Sequence, residues 1–235
     1  MIGVAPERFE IDTSAVAGAL DAEGHAIVRG LLSADESAEV IAMFDDDQRY
    51  RSTVDMARHG YGVGTYRYFA HPLPDLVGTL RSRLYEQLVP IANGWERRLG
   101  SSTIHPATHP AFVERCAAAG QYRPTPLVLR YHPGHYNCLH QDRYGEVAFP
   151  LQTAILLTPP TEFEGGEFVL VEQRPRLQSR AHVVPLGLGD AVIFPNQVRP
   201  VSGSRSTYRV NVRHGVSTLR RGTRHVLGII LHDAA

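Results

Sequence analysis

The sequence predicts an α+β protein in which helices pack beside a run of antiparallel strands. The chain of 235 residues is 43% hydrophobic, enough to bury one substantial core. Helix signals dominate up to Pro126. After it, short apolar segments arrive between turn residues: "LVLRYHP", "PLQTAILLTPP", "GGEFVLVEQ", "AHVVPL", "DAVIFPN", "YRVNVRHGV" and "HVLGIILHD". Several alternate with period two, as half-buried strands do. Their number fits a double-sheet jelly roll. With no internal repeat or low-complexity linker, residues 1–235 read as one domain, with a helical support over 1–125 and a jelly-roll core over 126–235.

The elements follow in order. "HAIVRGLL" (25–32) reads as a strand and "SADESAEVIAMF" (33–44) as a helix. Ser33 and Glu36 have the spacing of a capping box, in which each side chain satisfies a free amide at the helix start. A second helix runs from Asp75 toward Leu99, with Pro90 ending or kinking it. A third, "AFVERCAAAG", follows Pro110 and stops at Gly120. Glu164-Gly165-Gly166-Glu167 and Gly187-Leu188-Gly189-Asp190 are the plausible strand connections.

Composition excludes several classes. No apolar run is long enough to span a bilayer, and the first residues lack a signal-peptide pattern. Two cysteines, Cys116 and Cys138, make no disulfide framework, so a cytoplasmic protein is the default. Formal charge balances at zero, yet residues 171–230 hold ten arginines against Glu172 and Asp190.

The chemistry concentrates in "LRYHPGHYNCLHQDRYGE" (129–146). His140 and Asp142 have the spacing His-x-Asp, which at a strand end puts an imidazole and a carboxylate on one side. Taken alone this tripeptide reads more readily as a solvated loop. A second cluster changes the balance. In "YRVNVRHGVSTLRRGTRHVLGIIL", Val210, Val212 and His214 share one strand face while Arg209, Asn211 and Arg213 share the other. Arg224 shares a face with Val226, Gly228 and Ile230 and so points inward. A buried, unpaired arginine is costly and implies an anionic partner, which no nearby acid supplies. Two histidines and one carboxylate bind one face of an octahedral Fe(II) and leave positions open. A 2-oxoacid chelates two of these, and its distal carboxylate suits the planar fork of Arg224.

These residues resemble the Fe(II)- and 2-oxoglutarate-dependent dioxygenases over roughly residues 127–233, nearest to the prolyl-hydroxylase-like branch. The fold implied is the double-stranded β-helix, a jelly roll. "RYHPGHYNCLHQD" resembles that branch's approach to the metal motif, "FEGGEFVL" its Gly-Gly hairpin, and "HGVSTLRRGTRHVLGIILHD" its final strand pair. The resemblance implies metal ligands His140, Asp142 and His214, a carboxylate anchor at Arg224, and Tyr131 against the co-substrate. It implies Fe(II) as cofactor, 2-oxoglutarate and O2 as co-substrates, and succinate and carbon dioxide as co-products of C–H hydroxylation. More narrowly, "TYRYFAHPLP", "NCLHQDRYGE" and "YRVNVRHGVS" resemble a bacterial group thought to demethylate alkylated DNA bases oxidatively. The stretch 198–212 is longer than in better-studied hydroxylases and reads as a lid or substrate loop.

Rival residues were weighed beside these. His182, His225 and His232 compete as distal ligand, but His225 faces away from Arg224, His232 lies at the chain end, and His182 has no suitably spaced arginine downstream. His132 and His135 flank the mouth and suit a loop role. Cys138 suits a small buried filler, and His105 and His109 are separated by prolines. Arg220 is the second choice of anchor. Asn137 is a polar candidate for the co-substrate pocket and Gln152 a weaker one. Tyr136, Arg143, Tyr68 and Arg199 are candidate substrate contacts.

The substrate is a small molecule, a peptide or a nucleic acid. For the last, Arg174, Arg176, Arg180, Arg199, Arg205, Arg209 and Arg213 offer a basic rim to phosphates. The competing reading pairs these arginines with N-terminal acids such as Asp45, Asp46 and Asp47. Tyr61, Tyr66, Tyr68 and Phe69 offer a stacking platform for a flipped base, or are plain core. A metal-binding jelly roll that stores or senses a ligand without oxidation is the rival from another class.

Overall fold

A computed structural model describes residues 8–142, 144–203 and 206–235. Four helices precede the main run of strands: α1 (Thr13–Glu23), α2 (Ala34–Met43), α3 (Asp75–Arg98) and α4 (His109–Ala118). Local chemistry sets their ends. The Asp12 carboxylate accepts from the Ala15 amide at the start of α1, and Gly24 closes it in a left-handed conformation. The Ser33–Glu36 capping box forms at α2 as expected. α3 continues through Pro90 to Arg98, so the proline does not end it. Pro90 lies on the exposed side, while Leu84, Leu88, Ala92 and Trp95 are buried on both sides of it. Packing of that face outweighs one lost hydrogen bond.

The strands are β1 (Ala26–Val28), β2 (Tyr50–Asp55), β3 (Gly62–Val63), β4 (Thr65–Phe69), β5 (Leu127–Tyr131) and β6 (Tyr136–His140). They continue with β7 (Leu151–Leu156), β8 (Phe163–Gly165), β9 (Phe168–Gln173), β10 (Arg180–Val184) and β11 (Ala191–Pro195). The last four are β12 (Val198–Ser202), β13 (Thr207–Val216), β14 (Leu219–Gly222) and β15 (Arg224–Ile230). A larger sheet has the order β1-β11-β7-β15-β5-β4-β2. A smaller sheet has the order β10-β9-β13-β6-β3, with β12 also on β13, and β14 pairs with β8. All these pairings are antiparallel. The double-sheet α+β architecture is the one the strand pattern predicts.

Two residue ranges differ from the sequence reading. Residues 50–69, expected within a helical support, supply β2 and β4 to the larger sheet and β3 to the smaller one. "YRSTVD" and "TYRYF" have the β-branched and aromatic content of strands, and β4 finds its partner in β5, some sixty residues on. The stretch 198–212 is no lid. Its described residues pair β12 with β13 from Val198↔Asn211 to Ser202↔Thr207, and along β13 buried Val210 and Val212 alternate with exposed Arg209 and Asn211 as a ladder requires.

The central strands of the larger sheet are covered on both faces. Ile155, Ala191, Ile193, Leu227 and Ile229 pack against the helices. Their alternates Ala154, Leu156, Val192, Phe194 and Val226 pack against Phe168, Leu170, Val210 and Val212 of the smaller sheet. Two-sided burial makes "TAILL" and "AVIFP" read as continuous apolar runs instead of strict alternation. Among the described residues no helix is long and apolar enough to cross a membrane.

Candidate functional site

His140 ends β6, and His214 lies directly opposite it on β13. Their ring centroids are 4.1 Å apart. Gln141, between the two members of the His-x-Asp motif, turns away and donates to the carbonyls of Gln197 (3.0 Å) and Val212 (2.9 Å). That anchorage leaves His140 and Asp142 facing the same space. Asp142 Oδ1 lies 3.5 Å from His140 Nε2, and Oδ2 lies 3.3 Å from His214 Nε2. One ligand atom from each residue falls within 4.8 Å of the others. It is the one three-residue cluster of this kind among the described residues.

The electrostatics suit a cation. Burial alone would raise the Asp142 pKa, but hydrogen bonds and charge from His140 and His214 hold it well below the usual carboxylate range. Burial pulls His214 down, favouring the neutral imidazole a metal needs. His140 Nδ1 lies 2.8 Å from the Cys138 carbonyl, which holds the proton on Nδ1 and leaves Nε2 as the free donor. Phe194 and Phe168 flank the His214 ring at 4.8 and 6.1 Å.

The triad opens onto a cavity of about 290 Å³, shared with Arg224, Tyr131, Asn137 and Gln152. Arg224, only 2% exposed, pairs in register with Tyr131 across β15 and β5. Among the described residues, neither Nε nor Nη1 of Arg224 meets an acceptor, and Tyr131 Oη is also without a partner. Burial lowers the Arg224 pKa to about 10, so the guanidinium stays charged at neutral pH. Burial pushes the Tyr131 phenol up to about 12, so it remains a hydrogen-bond donor. A buried guanidinium with two unpaired nitrogens and a buried phenol beside it, facing one cavity, fit a carboxylate ligand. Gly166, with φ +67°, lets Arg224 sit there: a Cβ on it would meet Arg224 Cδ at 3.0 Å and Leu219 Cδ1 at 2.9 Å.

Other expected residues fall elsewhere. Arg220 is exposed on β14, 3.9 Å from Glu167, and is no anchor. Arg199 is 1% exposed, bound 2.5 Å from Glu172 and to the carbonyls of Leu20 and Asp21, so it is a structural residue and no substrate contact. Its inward position on β12 gave no sequence sign of this distant partner. Tyr136 is 37% exposed and does not line the cavity, whereas Tyr68 does. Arg143, like Arg205, lies outside the described residues. Cys138 is exposed, not buried filler. Of the rival histidines, His182 sits beside Glu172, His225 against Phe44, and His232 under the Phe149 amide. Tyr61 and Tyr66 line the cavity with Tyr68, but Phe69 is core, stacked on Tyr50. Tyr144 was missed, although it lies two residues after Asp142. Its Oη donates to Asp142 Oδ1 at 2.8 Å and accepts from Tyr68 Oη at 3.1 Å.

A family described as an oxygenase catalysing oxidative methylation of damaged DNA matches residues 64–234. The chain belongs to this oxygenase family. An uncharacterised protein of Mycobacterium tuberculosis (strain CDC 1551 / Oshkosh) is 44% identical over 181 residues, 74% of this oxygenase and 78% of the relative. A Pseudomonas putida prolyl-4-hydroxylase superposes with a TM-score of 0.54 at 14% identity, covering 95% of this oxygenase and 99% of that chain. A 2OG-Fe(II) oxygenase family oxidoreductase from Burkholderia pseudomallei gives 0.52 at 15% identity, covering 96% and 94%. The fold of this oxygenase is therefore the jelly roll of the 2OG-Fe(II) oxygenases, prolyl hydroxylases among them.

Proposed function

We propose that this oxygenase holds Fe(II) through His140, Asp142 and His214, binds 2-oxoglutarate through Arg224 and Tyr131, and oxidatively demethylates alkylated bases in DNA. The observation that carries the co-substrate assignment is the buried, charged Arg224, whose Nε and Nη1 have no acceptor among the described residues, in the same cavity as the triad. Bound Fe(II) would couple oxygen and 2-oxoglutarate to cleavage of an unactivated C–H bond, releasing succinate and carbon dioxide. Hydroxylation of a methyl group on nitrogen yields formaldehyde and the demethylated amine.

The residues divide the work. The triad offers three ligand atoms from one side of the cavity. Arg224 and Tyr131 hold the far carboxylate of the co-substrate and fix its direction. Phe168, Phe194 and Val226 keep the inner wall apolar and exclude water from the reacting centre. Tyr61, 50% exposed where it lines the cavity, offers a flat face to an extruded base.

Two observations favour DNA over a peptide or small metabolite. The matched family is described as acting on damaged DNA. The acids expected to neutralise the arginine-rich stretch are engaged elsewhere: Asp45 with Arg130 (2.8 Å), Asp46 with Arg49 (2.9 Å) and Asp47 with Arg67. Arg176, Arg180, Arg209 and Arg213 are exposed and have no ion pair among the described residues.

Succinate release by the iron-loaded protein tests the reading, measured with 2-oxoglutarate alone, with N-methylated single-stranded DNA, and with a peptide and amino-acid panel. Stimulation by methylated DNA with stoichiometric formaldehyde is expected. Stimulation by a panel member instead would move the substrate. No succinate in any mixture, despite bound iron and 2-oxoglutarate, would leave a non-oxidising binder.

A further inference from the structure

We infer that Tyr144, supported by Tyr68, is a positioning residue for metal binding: its hydroxyl fixes the carboxylate of Asp142 in the orientation that meets the two histidines. The inference rests on the proposed metal reading of the triad, and neither hydroxyl has a role in that reading.

The geometry is directional. Tyr68 Oη donates to Tyr144 Oη at 3.1 Å, which commits the Tyr144 proton to Asp142 Oδ1, 2.8 Å away. A two-hydroxyl chain thus ends on the carboxylate. Asp142 follows the last residue of β6 by two positions, so its backbone lies outside the ladder and its carboxylate must be oriented by side-chain contacts. No other hydrogen bond to its carboxylate apart from the histidine contacts is made among the described residues. The chain itself is rigid. The Tyr68 ring lies on β4 with Arg51 over its face at 4.5 Å, and it meets the Tyr144 ring edge-on at 6.3 Å. Tyr144 is further walled by His232 at 6.1 Å.

A free carboxylate rotates about χ2 and can present one oxygen or both. Held through Oδ1, Asp142 keeps one plane, and that plane sets Oδ2 toward His214. The partners that orient metal ligands in this way are worth on the order of 10- to 100-fold in metal affinity. Tyr68 touches no ligand and acts only through Tyr144.

Co(II) binding by the metal-free full chain tests this without turnover, with dissociation constants and d–d absorption bands as readouts and thermal unfolding of the metal-free protein as control. Tyr144→Phe keeps the ring and removes only the hydroxyl. Expected are Co(II) binding weakened by roughly 10-fold or more, altered d–d bands and an unfolding temperature close to wild type. Tyr68→Phe should have a smaller effect, and Tyr68→Phe/Tyr144→Phe should bind no more weakly than Tyr144→Phe alone. Wild-type affinity and spectrum in Tyr144→Phe would overturn the inference while leaving the metal reading intact. Additive losses in the double variant would overturn the relay from Tyr68. A wild-type chain that binds no Co(II) would overturn the metal reading and this inference together.

Discussion

Arg224 and Tyr131 face each other in register across β15 and β5, and among the described residues neither the Nε and Nη1 of the arginine nor the phenol oxygen has a hydrogen-bond partner. A folded protein tolerates such an arrangement when a ligand completes it, because each buried polar group left unpaired costs free energy. In the function proposed above, the pair receives the carboxylate of the co-substrate.

The first prediction follows from that pair. Arg224→Met should weaken 2-oxoglutarate binding by roughly a hundredfold, the worth of about 3 kcal/mol in charged hydrogen bonds. Arg224→Lys should restore little, since an ammonium cannot reproduce the fork. The metal-free, co-substrate-free protein should melt higher as Arg224→Met than as wild type, because an uncompensated buried charge has gone. Calorimetric titration and thermal unfolding check both. Unchanged 2-oxoglutarate affinity would remove Arg224 from the site.

The triad gives a second. His140→Ala, Asp142→Ala and His214→Ala should each abolish iron-dependent succinate formation while the protein still folds. His225→Ala and His182→Ala should retain metal binding, because His225 packs on Phe44 and His182 sits by Glu172. Metal content after dialysis separates the two groups.

Gly166 supplies the third. Its φ of +67° disfavours any L side chain, and an added Cβ would press on Arg224 Cδ and Leu219 Cδ1. Gly166→Ala should cost about 1–2 kcal/mol of stability from the backbone alone. It should also weaken 2-oxoglutarate more than it weakens the metal. Equal losses for both ligands would show general unfolding instead.

A fourth concerns Arg199. Its Nε lies 2.5 Å from Glu172, and both residues are about 2% exposed or less. Arg199→Ala leaves the buried Glu172 carboxylate with Arg174, 3.8 Å away, in place of its buried partner, a cost of up to about 3–5 kcal/mol. The expected result is a large fall in unfolding temperature with unchanged KM for the proposed DNA substrate in the folded fraction. A raised KM at wild-type stability would return Arg199 to the substrate.

Acid stability is the fifth. Burial holds His109, His225 and His232 down at about 4, aided by Arg81 beside His109 and His232 and by Arg130 beside His225. Unfolded, each titrates near 6.5. The unfolded chain therefore binds more protons between pH 4 and 6.5, and stability rises with pH across that window. Their contribution is complete above about pH 6.5 and is lost as pH falls toward 4. Urea midpoints should decline through this window, and a flat profile there would contradict neutral burial of these rings.

Much was legible because strands and metal motifs have local signatures. Period-two segments after Pro126 became strands, and Arg224 was placed on the face of Val226 and Ile230 from alternation alone, as the cavity lining bears out. His140 and Asp142 were readable from their spacing. Other features had no local sign. Arg199 looked like one more arginine of a basic rim until Glu172, 27 residues away, and the carbonyls ending α1 came to meet it. Residues 50–69 gave no periodic segment long enough to outweigh their helical surroundings.

The sequence by itself determined the fold class, the motif His-x-Asp and the inward arginine, since each is written in periodicity or spacing along a single strand. The tertiary structure decided which histidine lies across from His140, that Arg224 and not Arg220 reaches the cavity beside Tyr131, and that Tyr144 and Tyr68 stand behind Asp142. Those choices depend on the register between strands far apart in the chain, and register is set by burying two sheets against each other, not by any short stretch of residues.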